Sequence, residues 1–171
     1  DDVDELVAKE KPLPSFDYHC PLLSLPLTFR TKLTNIPSPK PYLAAKAEKC
    51  EEWVKRLGEK SKPRVGLVWS GSTIHKNDHN RSLTLKELLP QLPQCYDYVS
   101  LQKELREIDK EFLLVSGIQH FGDELKDFTD TAALCALMDV VVSVDTSVAH
   151  LAAAMGKRTF VLVPISAYYV W

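Results

Sequence analysis

The residues with the clearest chemical potential form the polar turn Asp145-Thr146-Ser147, which His150 follows after two residues. A β-branched apolar run, residues 138–144, precedes this turn, and an alanine-rich segment that ends at Gly156 follows it. With a second apolar run at 159–163, the order is strand, turn, helix, strand, which is typical of a parallel sheet. Ligands of such sheets bind at the carboxyl ends of the strands, where helix N-termini offer N–H groups to anions. The pattern therefore predicts a phosphate or phospho-sugar site.

The same turn also has a purely structural interpretation. Thr146 and Ser147 can place hydroxyl and N–H groups against a diphosphate, but Asp145 or Thr146 can equally be an ordinary helix N-cap. His150 favours ligand binding, because the apolar residues at helical spacing between 148 and 155 turn it onto the same face as Thr146 and Ser147. A surface or half-buried histidine without a ligand is an equally good interpretation of His150.

Two further segments are expected at the same edge of the sheet. Gln102 and Lys103 end the predicted strand 97–101, where a lysine can neutralise a phosphate or simply begin a charged, solvated helix. The loop that follows the first predicted strand is rich in hydrogen-bond donors, and Ser82 at its end could cap the next helix. The loop's candidates for contact with a pyrophosphate or a sugar, against the alternative of a solvated polar loop, are Ser70, Gly71, Lys76 and Arg81.

The motifs of several other sites are missing from the sequence. It contains neither G-x-G-x-x-G nor G-x-x-x-x-G-K-[ST], which argues against a dinucleotide fingerprint and a P-loop. It also lacks the G-x-S-x-G of a nucleophile elbow. His75 and His79 have i, i+4 spacing without the glutamate of H-E-x-x-H, so we expect no metal site. Since no pair of carboxylates stands out as acid and base, the sequence indicates binding without an obvious reacting group.

Length and composition are those of an ordinary globular protein. The chain has 171 residues, 45% hydrophobic and 26% charged, enough for one domain or for one domain and an arm. Its formal net charge of −2 gives no electrostatic reason to expect nucleic acid as a partner. No apolar run reaches the roughly 20 residues of a membrane helix, and the acidic start is unlike a signal peptide. Four scattered cysteines without a C-x-x-C pair indicate reduced thiols and a cytoplasmic location.

Three regions are predicted along the chain. Residues 1–41 are a proline-rich arm, the tail of a missing N-terminal region, in which proline excludes a long helix or a central strand. Because the arm is also rich in leucine and aromatic residues, we expect it to pack on a partner and to favour self-association in isolation. Residues 42–63 comprise an amphipathic helix, 42–60, and a linker. Residues 64–171 form a domain that binds a ligand.

The third region alternates predicted strands and helices. This order indicates the α/β class, with a Rossmann-like parallel sheet and helices on both faces. The predicted strands are 64–69, 97–101, 138–144 and 159–163. The predicted helices are 83–92, 104–110, 130–138 and a short one that ends at 155, with a weaker apolar run at 111–115.

Five segments, taken together, resemble the C-terminal, donor-binding half of GT-B glycosyltransferases of the heptosyltransferase-like kind. They are residues 65–71, 77–82, 100–103, 127–134 and 139–156. The sequence is most similar to bacterial proteins that carry such a domain behind tetratricopeptide repeats, and more distantly similar to O-linked N-acetylglucosamine transferases. The resemblance extends over about residues 16–164, and the D-T-S-x-A-H turn is its most specific part.

The resemblance implies that a nucleotide-diphosphate sugar binds across the strand ends, without a metal or other cofactor. Thr146 and Ser147 would hold the diphosphate, and the nucleobase would lie near Phe128. Lys103 would contact phosphate or ribose, and Asp145 would meet sugar hydroxyls or cap the turn. The full set implied in donor binding is Arg81, Gln102, Lys103, Phe128, Asp145, Thr146, Ser147 and His150.

The resemblance also implies the reaction, which is direct displacement at the anomeric carbon of the donor sugar. The donor half would stabilise the departing diphosphate, and the acceptor would be a glycan, a lipopolysaccharide or a protein. The general base would come from the missing N-terminal half, so the catalytic residue is unknown and we expect this chain alone to be inactive. Residues 167–171 depart from the family's pattern, which indicates truncation at the C-terminus. A sugar-nucleotide epimerase or hydrolase on the same fold, or an inactive binding or scaffold module, remain alternatives.

Overall fold

The chain divides into two units, Asp1–Ser38 and Pro39–Trp171. The computed structural model describes residues 4–37 and 41–165 of them. The segment 167–171, where the sequence departs from the family's pattern, lies outside the described residues, as does Pro39 of the arm.

The first unit has little regular structure. A 3₁₀ turn at Leu22–Ser24 leads into one short helix, α1, at Leu25–Thr28. The prediction that this proline-rich segment holds no long helix or strand is thus confirmed for its described residues. Many of its large apolar side chains are exposed, among them Tyr18 at 93% and Leu27 at 83%. The unit therefore presents apolar side chains to solvent.

The second unit is built on a five-stranded, all-parallel sheet with the strand order β3-β2-β1-β4-β5. The strands are β1 Arg64–Val68, β2 Asp97–Ser100, β3 Gln119–His120, β4 Val140–Val144 and β5 Thr159–Leu162. The helices are α2 Ala47–Leu57, α3 Asp78–Arg81, α4 Leu85–Leu88, α5 Glu107–Ser116, α6 Phe128–Leu137 and α7 Ser147–Ala154. Short 3₁₀ turns lie at Leu89–Gln91 and Gly122–Glu124.

Helices cover both faces of the sheet, which confirms the predicted α/β, Rossmann-like class. On one face, α2, α6 and α7 pack over a core that includes Trp53, Met138 and Val141. On the other face, α4 and α5 pack against Leu67 and Trp69. All five residues of β1, the central strand, are buried. A strand covered on both faces favours such a continuous apolar run, which is why the sequence identifies β1 without alternation of polar and apolar residues.

Two predicted helices are shorter in the structure than in the prediction. Helix 42–60 begins only at Ala47, because Tyr42 and Leu43 donate their N–H groups to the carbonyl of Ala154, at 3.1 and 3.3 Å, and take no part in the helix. Helix 83–92 is reduced to the four residues of α4 and a 3₁₀ turn that contains Pro90, which has no N–H to donate.

The start of α4 and the segment after β2 also differ from the prediction. Thr84, rather than Ser82, is the N-cap of α4, in a capping box with Glu87. Residues 104–106 of the predicted helix 104–110 are not helical. The rest of it and the apolar run 111–115 form one helix, α5, which ends before Gly117 in the left-handed conformation. Of the apolar run, Phe112 and Leu113 pack against the core, whereas Leu114 and Val115 are exposed. The two-residue strand β3 was not predicted, because two residues show no periodicity.

Candidate functional site

A cavity of about 430 Å³ opens at the carboxyl ends of β1, β2 and β4. Its volume is within the usual range for small-molecule sites. Apolar side chains of Val68, Leu101, Leu125 and Val148 contribute to its wall. Of the residues predicted from the sequence, those that line it are Ser70, Gly71, Gln102, Lys103, Phe128, Thr146 and Ser147. The lining also contains polar residues that the sequence analysis did not select, namely Ser72, Glu104, Lys126, Asp127 and Thr131.

The N-terminus of α7 contributes one side of this cavity. Its N-cap is Thr146, whose side chain makes no capping hydrogen bond. The Thr146 hydroxyl lies 3.1 Å from Ser143 Oγ, which itself donates to the carbonyl of Val144 at 2.7 Å, so Thr146 is the donor of the pair. The N–H groups of Ser147 and Val148 begin the helix and have no intrahelical acceptor. This end of α7 is therefore suited to an anion, which the backbone N–H groups and the helix dipole attract.

The N-terminus of α6 also reaches the cavity but differs in its capping. Asp127 is its N-cap and accepts hydrogen bonds from the N–H of Thr129 at 2.8 Å and from the hydroxyl of Thr129 at 2.6 Å. Because a carboxylate already occupies the positive end of α6, a further anion is disfavoured there. Phe128, the next residue, is 57% exposed and offers a flat apolar surface at the rim. The two helix ends thus favour different parts of a ligand.

Gln102 is a buried support of the turn after β1. Its Oε1 accepts from the N–H groups of Trp69, at 2.7 Å, and Ser70, at 2.9 Å. Its Nε2 donates to Ser70 Oγ and to the carbonyl of Glu104. These bonds occupy both donors and both acceptor positions of the amide. Gln102 therefore holds Ser70 in place, and it also lines the cavity, so the ligand contact predicted for it stays a prediction.

The remaining predicted residues do not line the cavity. Lys76 and His150 are exposed, and Asp145 is half-buried. Arg81 donates from Nη1 to the carbonyl of Asp145 at 2.8 Å. Its guanidinium also lies against Gly71, where a Cβ would come within 2.5 Å of Arg81 Nη2. Arg81 thus joins two turns of the site, and the ligand contact predicted for it stays a prediction.

Two lysines give the cavity its cationic side. Lys103 and Lys126 are both exposed and line the cavity, and Lys103 Nζ lies 3.5 Å from the carbonyl of Lys126. Glu104 is an acidic neighbour in the same wall. A second, open cavity of about 850 Å³ continues past these residues towards His120 and α5. Burial lowers the pKa of His120, although the nearby Asp123 raises it, so this histidine is neutral at pH 7.

Asp130 connects the cavity wall to α2. Its buried carboxylate accepts from the N–H of Lys126 at 3.0 Å, from Trp53 Nε1 at 3.2 Å and from Lys49 Nζ at 3.0 Å. Burial raises the pKa of Asp130, but the hydrogen bonds from Lys49, Trp53 and Lys126 outweigh it, so the pKa lies below its ordinary value. The carboxylate is therefore ionised at neutral pH and stabilises both the helix pair and the Lys126 loop.

This lowered pKa predicts a pH-dependent contribution to stability. Because the pKa of Asp130 is lower in the folded than in the unfolded chain, its contribution is complete above the ordinary pKa and is lost as the pH falls through the folded value. We expect the difference in unfolding free energy between wild type and Asp130→Asn to shrink below about pH 4. Urea unfolding at a series of pH values measures this difference, and a constant difference throughout would contradict the prediction.

Among residues 4–37 and 41–165, no three His, Cys, Asp or Glu side chains come together as a group that could hold a metal ion. In the same part of the chain, no helix combines the length and apolar character that a membrane crossing requires.

Known proteins resemble this chain in sequence over one segment and in fold over most of its length. Residues 126–162 match the sequence model of the family "Glycosyltransferase family 9 (heptosyltransferase)". This segment includes the two helix N-termini that line the cavity. The ADP-heptose LPS heptosyltransferase II of E. coli is similar in structure, with a TM-score of 0.53 and 19% sequence identity over 75% of this chain. The fold is that of a heptosyltransferase.

The match has a limited extent. It covers 41% of the heptosyltransferase II chain, so this chain corresponds to less than half of that protein. No curated protein sequence matches the chain at a significant level. The likeness therefore shows the fold alone.

Proposed function

We propose that this chain is the donor-binding half of a glycosyltransferase that uses a nucleotide-diphosphate sugar and needs no metal. The observation that carries the proposal is the N-terminus of α7. It opens without a side-chain cap onto a cavity lined by Lys103 and Lys126, and it lies in the segment that matches the family of glycosyltransferases. An anion-binding helix end beside two ammonium groups suits a diphosphate.

The arrangement suggests where each part of the donor binds. The diphosphate lies against the N–H groups of Ser147 and Val148, with the ammonium of Lys103 close by. Phe128, at the start of α6, offers its exposed ring to the nucleobase, and the capping carboxylate of Asp127 keeps phosphate away from this end. The sugar then points towards the Ser70 turn.

In this proposal the chain contributes to catalysis by stabilising the leaving group. Transfer of the sugar breaks the bond between the anomeric carbon and the diphosphate oxygen, and negative charge develops on the diphosphate. Fixed N–H groups and lysine ammonium groups next to that charge stabilise the transition state more than the ground state. The general base and the acceptor site belong to the missing half in this proposal. A bacterial, cytoplasmic protein with tetratricopeptide repeats, as the sequence suggests, is the proposed setting.

A titration of the chain with UDP, GDP, ADP, CMP and dTDP tests the proposal. We expect saturable binding of one diphosphate, and Lys103→Ala is expected to weaken it about tenfold, the equivalent of about 1.4 kcal/mol. Lys86→Ala, which removes an exposed lysine of α4 that does not line the cavity, is the matched control and should bind like wild type. Calorimetry measures the affinities, and circular dichroism checks that each variant is folded.

Two results would contradict the proposal. A folded wild-type chain that binds none of the nucleotides would favour an inactive scaffold module, for which the exposed apolar side chains of the arm are the supporting observation. Equal affinities of Lys103→Ala and Lys86→Ala would exclude the cavity as the binding site. His150→Ala tests the role that the resemblance implies for His150. Because this residue is exposed and lies outside the cavity lining, its replacement should reduce nucleotide affinity less than Lys103→Ala does.

A further inference from the structure

Next to the cavity lies a cluster of charged residues, Asp78, Arg81 and Arg106, with Ser82 at its centre. The side chains of Asp78, Arg81 and Arg106 are 10%, 13% and 26% exposed, so all three charges are largely removed from water. Asp78 accepts from Ser82 Oγ at 2.8 Å, from Arg81 Nε at 3.4 Å and from Arg106 Nη2. One carboxylate thus compensates two guanidinium groups.

The cluster holds the turn after β1 through Gly71. The N–H of Gly71 donates to Ser82 Oγ at 2.9 Å, and its carbonyl accepts from Arg106 Nη2 at 3.1 Å. Arg106 Nη2 also donates to Ser82 Oγ at 3.1 Å. Both backbone groups of Gly71, a residue that lines the cavity, are therefore fixed by the cluster.

The cluster also holds the turn before α7. Arg81 Nη1 donates to the carbonyl of Asp145 at 2.8 Å, and the next residue, Thr146, is the N-cap of α7. Asp78 itself does not line the cavity. The two arginines that it binds nevertheless connect the loop after β1 to the turn after β4. In the proposed function the first of these lies near the sugar and the second near the diphosphate.

We propose that Asp78 is a positioning residue of the donor site, which orients Arg81 and Arg106 so that they hold the Gly71 and Asp145 turns together. The proposal rests on the proposed function for its ligand, but the geometry of the two turns can be measured without one. If Asp78 becomes neutral, two buried guanidinium groups lose their counter-charge and repel each other. The arginines must then turn towards solvent, and the two turns separate.

The pKa of Asp78 is consistent with this role. Burial raises the pKa of its carboxyl group, but the hydrogen bonds from Ser82 and Arg106 outweigh burial and bring the pKa below its ordinary value. Asp78 is therefore ionised at neutral pH and carries the charge that both arginines require.

The test compares Asp78→Asn with Asp139→Asn. Asp139 also accepts two hydrogen bonds, from Lys60 Nζ at 2.7 Å and from the N–H of Arg64 at 2.7 Å. It lies before the amino end of β4, whereas the cavity lies at the carboxyl ends of the strands. We expect Asp78→Asn to displace the amide NMR signals of Gly71 and Thr146 and to weaken binding of the preferred nucleoside diphosphate about tenfold or more. Asp139→Asn should lower stability without either effect, and Asp78→Glu should restore part of the affinity by keeping the charge.

The outcomes separate this proposal from the proposed function. Unchanged Gly71 and Thr146 signals in Asp78→Asn, or equal losses of affinity in Asp78→Asn and Asp139→Asn, would overturn the positioning role. If wild type binds no nucleotide, the proposed function fails, and the two amide signals alone decide whether Asp78 positions the turns. If Asp78→Asn does not fold, Arg81→Gln replaces it. This variant removes the bond to the carbonyl of Asp145 together with the bond to Asp78, and it is expected to move the Thr146 signal.

Discussion

Replacement of Ser147 by aspartate is expected to abolish nucleotide binding while the chain stays folded. Ser147 is the first residue of α7, is exposed and lines the cavity. An aspartate there places a negative charge where the diphosphate would bind, and such a like-charge contact lowers affinity about 100-fold or more. The same charge at a helix N-terminus stabilises the helix by about 0.3–1 kcal/mol. Calorimetric titration measures the loss of nucleotide affinity, and thermal unfolding measures the gain in stability.

Ser147→Asn is the neutral control for this experiment. Asparagine has nearly the same shape as aspartate and keeps the polar character of the site. The nucleotide affinity of this variant should therefore stay within a few-fold of wild type. If aspartate and asparagine weakened binding equally, the size of the side chain and not its charge would be responsible. Strong nucleotide binding by Ser147→Asp would place the diphosphate elsewhere.

Replacement of Asp109 by alanine is expected to have the largest effect on stability. Asp109, on α5, is fully buried and accepts from Trp69 Nε1 at 2.9 Å and from the N–H of Leu85 at 2.7 Å. Alanine leaves both donors buried without an acceptor, and each such donor costs about 1–3 kcal/mol. We therefore expect a loss of about 3–5 kcal/mol, a large part of the stability of an ordinary domain. Urea unfolding followed by Trp fluorescence measures it.

Two variants delimit the cause of this loss. Asp109→Asn keeps one acceptor oxygen at the same position and should lose clearly less stability than Asp109→Ala. Asp123→Ala removes an exposed carboxylate and should change the free energy of unfolding by no more than about 0.5 kcal/mol. A loss of the same small size for Asp109→Ala would show that Trp69 and Leu85 find other acceptors.

Most of the sheet could be predicted from the sequence because its strands are buried on both faces. The apolar runs at 64–69, 97–101 and 159–163 each end within one residue of the observed strand. The predictions were less accurate around α4 and α5, where the ends depend on a capping box and on which side of an apolar run faces the core. β3 is too short for any periodic signal.

The site could be predicted in outline, because the ends of parallel strands meet at one edge regardless of the loops between them. This rule placed Ser70, Lys103 and Ser147 at one cavity from sequence position alone. It did not reveal that the carbonyl of Asp145 is the acceptor for Arg81, 64 residues earlier in the sequence. The i, i+3 spacing of Asp78 and Arg81 was visible in the sequence, whereas nothing local marked Arg106 as their partner.

The attachment of residues 42 and 43 to α7 has a consequence for how ligand binding can be observed. The carbonyl of Ala154, which accepts from both of their N–H groups, closes the C-terminal end of an eight-residue helix about 12 Å long. A helix this short moves as a rigid rod, so a tilt at Ser147 displaces Ala154 as well. Hydrogen exchange at the amides of Tyr42 and Leu43 should therefore report ligand binding at the N-terminal end of the helix, without a label in the cavity.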